Sequence, residues 1–175
     1  ISTFENCSKL ETLFFNNPDA GFGINNAPRM FYGCTSLKTL DISNFYPNLY
    51  SNINNMFGNT PLLHELTLGF GWVRSSNTGL TGQWIRDGDT VVWDAVSLMD
   101  EYSGWHMAGT YRWPAAYAIL YDTGEMVFQR GNTPDPTKGN VVGTYTGFEN
   151  TTYANYSNVP WYSKRTNVTT ISFED

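Results

Sequence analysis

The sequence predicts a mainly β protein with short helices: a leucine-rich-repeat solenoid followed by a small β-rich module. Three observations lead there. A hydrophobic pattern recurs with a period of 26 to 27 residues at the start of the chain. The composition includes 6 Trp, 11 Tyr and 11 Phe, with only 15% charged residues, a bias that suits strands. The second half shows alternating apolar runs broken by Gly, Asn and Pro, and no helical period of any length.

The repeat consists of three matching lines: "FENCSKLETLFF" from Phe4, "FYGCTSLKTLDI" from Phe31 and "FGNTPLLHELTL" from Phe57. Phe4, Phe31 and Phe57 correspond, then Leu10, Leu37 and Leu63, then Leu13, Leu40 and Leu66. Phe15, Ile42 and Leu68 close the pattern. One such unit cannot bury its own apolar edge, and stacking buries it against the next. Each unit is therefore expected to supply one short strand. Its leucines point inward, and the alternating Thr12, Phe14, Thr39, Asp41, Glu65 and Thr67 point outward on a shared face.

Cys7 and Cys34 share one slot of the repeat, which the third unit fills with Thr60. Free cysteine packs as a small hydrophobe, so both are read as packing residues, with a disulfide between stacked units as the alternative. No Cys-x-x-Cys occurs, which argues against a metal pair. The two histidines lie in unrelated contexts, and His64 is expected at the surface. No metal ligand set, cofactor site or catalytic residue is assigned.

The pattern stops at "GFGWVRSSNTGLTG", residues 69–82, so residues 1–72 are assigned to the repeats. A connector over 73–115 should hold a short helix capped by Asp94 and running to Tyr102, with Val96, Leu98 and Met99 on its buried side. "GTYRW" reads as a strand. Residues 116–175 form the β module, beginning with a hairpin, "AYAILYDTGEMVFQRG", whose Gly124 supplies the positive φ of the turn. The strands "VVGTYTGF" and "VTTISF" follow, separated by a Tyr- and Asn-rich connection.

"MFYGCTSLKTLDISNF", residues 30–45, resembles the repeat of BspA-type leucine-rich-repeat surface proteins of bacteria. The match is looser at 4–15 and 57–68. "WIRDGDTVVWDAVSLMDEYSGWHMAGTYRW" is similar to a linker that follows such arrays, and "YAILYDTGEMVFQRG" with "VPWYSKRTNVTTISF" to the β segment preceding another. The resemblance implies export to a bacterial cell surface and adhesion or recognition of host or neighbouring-cell molecules, without catalytic residues. One departure concerns the loop after the strand. Where a plain leucine-rich repeat places Asn, this chain has Phe45, with Asn44 one position earlier.

Charge and hydropathy narrow the partners. A formal charge of −6 with 10 scattered Lys and Arg offers no basic face for nucleic acid. No run reaches the ~18 apolar residues a membrane span requires. The opening "ISTFENCSKL" is read as a fragment of a longer protein, with signal and anchor outside it.

Protein contact through the outward row, with Phe14 as anchor, is the first functional expectation. A glycan-binding module is the second, since Trp72, Trp84, Trp93, Trp105, Trp113 and Trp161 crowd the second part of the chain. Most of these should serve the core, and Trp105 in "YSGWHMAG" is the expected exception. A structural spacer is the third. "RDGDT" and "DTGE" supply too few oxygens for calcium and read as turns. Scattered acids could in principle pair for glycoside hydrolysis, but no catalytic motif accompanies them. The three sequons, "NTT", "NYS" and "NVT", are read as chance products of Asn- and Thr-rich loops.

Overall fold

A computed structural model describes residues 3–15, 21–130, 134–146 and 159–174. It is mainly β, with 38% strand against 13% helix. The chain divides into two compact units, Ile1–Trp113 and Pro114–Asp175. Residues 73–113 thus fold with the repeats.

In the first unit each repeat line opens on the same turn. The Cys7 N–H donates to the Phe4 carbonyl and the Leu10 N–H to the Cys7 carbonyl, at 3.1 and 3.0 Å. Cys34 and Leu37 repeat both bonds at the same distances. In the third unit the Thr60 hydroxyl donates to the Phe57 carbonyl at 2.6 Å. The residue two after each Phe is left-handed in all three: Asn6 at φ 61°, Gly33 at 74° and Asn59 at 54°. Asn and Gly are the residues that tolerate this region.

After each turn comes a strand: β1 (Thr12–Phe14), β3 (Thr39–Ile42) and β5 (Glu65–Leu68). They pair in parallel, Thr12 beside Thr39 beside Glu65, and Leu13 beside Leu40 beside Leu66. This is the register that the repeat alignment requires. The Phe rings stack in the same order. Phe4 and Phe31 lie 5.7 Å apart at 12°, and Phe31 and Phe57 lie 6.3 Å apart at 6°. Trp72 closes the column 6.1 Å from Phe57.

Two strands were absent from the sequence reading. β2 (Phe22–Asn26) and β4 (Phe45–Asn52) form a separate parallel pair. The departure at Asn44 and Phe45 has a plain outcome. Phe45 is buried, with its ring 4.6 Å from Phe15. Asn44 Nδ2 donates to the Phe15 carbonyl at 2.9 Å, tying one repeat to the previous one.

The remainder of the first unit completes a six-stranded sheet. β6 (Gln83–Arg86) and β7 (Val92–Asp94) precede helix α1 (Ala95–Glu101). The four-residue helix α2 (Gly104–Met107) and strand β8 (Gly109–Arg112) follow. β8 lies antiparallel to β5 and β6, giving the order β1-β3-β5-β8-β6-β7. Asp94 caps α1 as expected, its carboxylate accepting from the Val96 and Ser97 N–H groups. The buried side of α1 is corrected in one place: Ala95, Leu98 and Met99 are buried, whereas Val96 is 67% exposed. At position N2 of so short a helix, Val96 faces away from the Leu98–Met99 side.

Cys34 is fully buried and Cys7 exposed, and both are free thiols. The expectation of packing for both therefore needs correction at Cys7. Cys34 has the first unit against it, where its Sγ donates to the Phe4 carbonyl at 3.0 Å. Cys7 stands in the first unit, with no described residue in the corresponding place.

The second unit is one four-stranded sheet, ordered β11-β9-β10-β12. β9 (Ala116–Tyr121) and β10 (Glu125–Arg130) form the expected hairpin, with Gly124 at φ 87°. β11 (Val141–Thr146) joins β9 antiparallel, and β12 (Thr170–Phe173) joins β10 in parallel. Ala118, Leu120 and Met126 pack with Phe128, Tyr145 and Trp161. Ile119, Tyr121 and Val127 pack together as a second cluster. The connection between β11 and β12, and the sequons at 150 and 155, lie largely outside the described residues.

An ion-pair knot ties this sheet together. Lys138 Nζ lies 2.9 Å from Glu125 Oε1 and 3.1 Å from Glu174 Oε1, and the Ser172 hydroxyl donates to Glu125 at 2.7 Å. Lys138 and then Ser172 hold the Glu125 carboxyl below its usual range. Asn140 does the same for Asp122. A depressed folded pKa means that the unfolded chain takes up protons first. Stability is therefore present above the unfolded carboxylate range of about 4 and falls as pH drops through the folded values. Urea melts from pH 6 to 3 should show this acid loss, and Lys138→Met should flatten it.

Candidate functional site

The outer face of the six-stranded sheet gathers the predicted row. Register places Thr12, Thr39, Glu65, Arg112 and Ile85 on one line across the strands, and Phe14, Asp41, Thr67 and Thr110 on another. Thr12 and Phe14 are exposed, Phe14 at 52%. Thr39, Asp41, Glu65 and Thr67 are half-buried. Leu13, Leu40, Leu66, Tyr111 and Trp84 point to the opposite side, into the core.

Part of the row is engaged within the chain. Asp41 Oδ1 accepts from the Ser43 N–H at 2.9 Å. The Thr67 and Thr110 hydroxyls share a hydrogen bond of 3.0 Å. Arg112 Nε lies 3.2 Å from Glu65 Oε2, and its Nη1 pairs with Asp87. The sequence missed Thr110, Arg112, Ile85 and Val92 as members of this face. The period-2 alternation of "GTYR" and "QWIR" was the available signal, but the pairing partner was not legible. The resulting face has apolar edges, Phe14 on β1 and the 43% exposed Val92 on β7, around a charged centre.

A second feature lies on the same unit. Trp105 is 85% exposed on α2, and its ring centroid is 6.0 Å from the ring of Phe70, itself 56% exposed, at 42°. Tyr46 buttresses Phe70 edge-on at 5.5 Å. Two contacts hold the residues leading into α2 against the chain at 69–73: the Tyr102 hydroxyl donates to the Gly69 carbonyl at 3.0 Å, and Ser103 forms an antiparallel bridge with Val73. Gly104 permits the approach, since a Cβ there would sit 1.9 Å from the Phe70 carbonyl oxygen. The other tryptophans lie deeper. Trp72 and Trp84 are buried, and Trp93, Trp113 and Trp161 are half-buried. Phe70 was not singled out in the sequence, because an aromatic between two glycines carries no periodicity.

Two adjoining depressions, of about 550 and 330 Å3, share Asn54, Ser75, Ser76 and Asp100, and only the smaller is mainly polar. Arg74 lines the smaller one.

The remaining polar groups have local duties. In "RDGDT", Asp89 pairs with Arg86 at 2.8 Å and Asp87 with Arg112. In "DTGE", Asp122 takes Asn140, and Glu125 takes Lys138. His64 is exposed, with Nδ1 2.8 Å from the Leu62 carbonyl. Burial pushes the Cys34 thiol up, away from the thiolate a nucleophile needs. Among the described residues no group of three or more His, Cys, Asp or Glu could hold a metal ion. No described helix is long and apolar enough to cross a membrane.

No family model, curated protein or solved structure matches the chain.

Proposed function

We propose that the chain is a non-catalytic recognition module of a bacterial surface protein, of the BspA-type leucine-rich-repeat class, which binds a protein on a host or neighbouring cell. The observation that carries this reading is the stacking of three sequence repeats in one parallel register, with the outward side chains aligned in rows. Such stacking is how a repeat solenoid builds an extended contact surface. A face with an exposed aromatic at one edge and paired charges at its centre suits a protein partner. The carboxylates of shifted acidity have structural partners: Asp94 and Asp135 cap short helices, Asp122 takes Asn140, and Glu125 takes Lys138 and Ser172. Export to the cell surface belongs to the same reading and rests on the repeat resemblance.

One observation favours a second reading, carbohydrate binding. The Trp105–Phe70 pair is exposed and fixed in place, and sugar faces stack on such rings.

Labelled chain added to intact bacterial and epithelial cells, measured by flow cytometry, separates the readings. Protein recognition predicts that protease-stripped cells lose binding, and that Phe14→Ala with Asp41→Ala weakens it by about tenfold or more. Unchanged binding by that double variant removes the sheet face as the site. Binding that survives protease, is blocked by soluble sugar and disappears with Trp105→Ala assigns the aromatic pair instead. No binding to any cell leaves the spacer role.

A further inference from the structure

In the first two repeats the chain beyond the leucine strand continues into β2 and β4, which lie side by side. The third repeat departs from this course. As far as Gly71 it stays close to β4, since a Cβ there would sit 2.0 Å from the Tyr46 ring. It then turns away toward the helices: Val73 bridges Ser103, and the Ser75 N–H donates to the Met99 carbonyl at 2.9 Å. Among the described residues no strand covers the second edge of β4. The smaller depression, about 330 Å3, opens there between Asn48 and Ser51 of β4 and residues 74–76. The larger, about 550 Å3, continues it along α1. Both volumes fall in the range of small-molecule sites, about 300–1,000 Å3.

Main-chain bonds hold the frame of this groove. The Asn55 N–H donates to the Asn77 carbonyl at 2.7 Å and the Phe57 N–H to the Thr78 carbonyl at 2.9 Å, which lays the 75–80 segment along residues 54–57. Walls fixed in this way lower the ordering cost of binding. Six polar side chains on the groove, Asn54, Asn55, Arg74, Ser76, Asn77 and Asp100, make no hydrogen bond or ion pair among the described residues. The other arginines of the first unit are engaged: Arg29 with Glu5, Arg86 with Asp89, and Arg112 with Glu65 and Asp87. The groove is also sorted along its length. Arg74 lines only the smaller depression, Asp100 lines both, and Leu80, Val96 and Met99 line only the larger.

We propose that this groove binds a saccharide of two linked units, one carrying a carboxylate and the other an N-acetyl group. Arg74 pairs with the carboxylate in the smaller depression through charge-assisted hydrogen bonds. Asp100, common to both depressions, accepts from ring hydroxyls. The asparagine side chains, each both donor and acceptor, take further hydroxyls. The acetamido methyl lies against Leu80, Val96 and Met99, and Val96 is 67% exposed for that contact. A ligand with a hydroxyl on most of its carbons matches six free polar groups better than an extended peptide, which brings one N–H and one C=O per residue. The formal charge of −6 opposes a polyanion, so a single carboxylate is the fitting charge. This site is separate from both surfaces considered above, since neither the outer sheet row nor the Trp105–Phe70 pair lines it.

Calorimetric titration of the whole chain with the disaccharide of glucuronic acid and N-acetylglucosamine tests this. Its methyl ester, which keeps every other group but removes the charge, is titrated beside it. The acid should bind saturably at millimolar concentration and the ester about tenfold more weakly, the loss expected for one charge-assisted contact. Arg74→Met should bring the acid down to the level of the ester, and Asp100→Asn should weaken both alike. Neither side chain has a partner among the described residues, so both variants should keep the Tm of the parent chain. Equal binding of acid and ester overturns the proposal, as does an undiminished preference in Arg74→Met or no binding of the acid at all. Loss of the acid in Trp105→Ala, with Arg74→Met and Asp100→Asn binding as the parent does, overturns it too, because the aromatic pair would then hold the sugar. Tighter binding of an acetylated Val-Ser-Asp peptide than of the acid assigns the groove to a peptide, with the same consequence.

Discussion

Phe31→Ala should destabilise the first unit by about 3–5 kcal/mol, the usual result of emptying a well-packed aromatic site. Phe31 is fully buried, and its ring is stacked on both sides, by Phe4 and by Phe57. Phe4→Ala removes the same side chain from the same repeat position, yet should cost less than half as much, because Phe4 has a stacked ring on one side and is half-buried. Urea melts followed by tryptophan fluorescence report the difference cleanly, since five of the six tryptophans belong to the first unit. Equal losses for the two variants would contradict the stacking order of the units.

Gly104→Ala should also destabilise the first unit, although it adds only one methyl group. The new Cβ would meet the Phe70 carbonyl oxygen at 1.9 Å, and that neighbour is backbone, which cannot rotate away. Overpacking against fixed structure costs about 1–3 kcal/mol or more. The accompanying shift of α2 should carry Trp105 off Phe70, with a measurable change in the exposed tryptophan's emission. Gly23→Ala is the control. No atom lies within 4 Å of its added Cβ, so it should stay within about 0.5 kcal/mol of the parent. If both variants behave alike, α2 is not held against the 69–71 turn as described.

The two predictions draw on different kinds of information. The Phe column and the parallel register of β1, β3 and β5 follow from letters spaced 26 and 27 residues apart, so Phe31 could be named as a core position from the sequence. The hairpin β9–β10 was equally legible, since its strands are adjacent in the chain and its turn needs a glycine. Asp94 announced α1 for the same reason: a cap acts on N–H groups two and three residues away. Val96 was misplaced because a two-turn helix shows too little of its period to define a face.

Gly104, by contrast, could not have been singled out. Its partner, Phe70, is 34 residues away in sequence, with no pattern linking them. The outer row shows the same division within a single site. Thr12, Phe14, Thr39, Asp41, Glu65 and Thr67 share a face because strand alternation dictates it. That Glu65 is engaged by Arg112, and Thr67 by Thr110, depends on β8 arriving antiparallel beside β5. The alternation within β8 says which of its side chains share a face, but not which strand it will join.

What the sequence determined by itself was local or periodic: the repeat, its inward and outward letters, the cap, the hairpin, and the slot shared by Cys7, Cys34 and Thr60. Tertiary structure alone decided which members of a repeated set are buried and which remain open. Cys7 and Cys34 hold the same place in the repeat and have opposite exposures, because burial of a stacked unit comes from the units beside it.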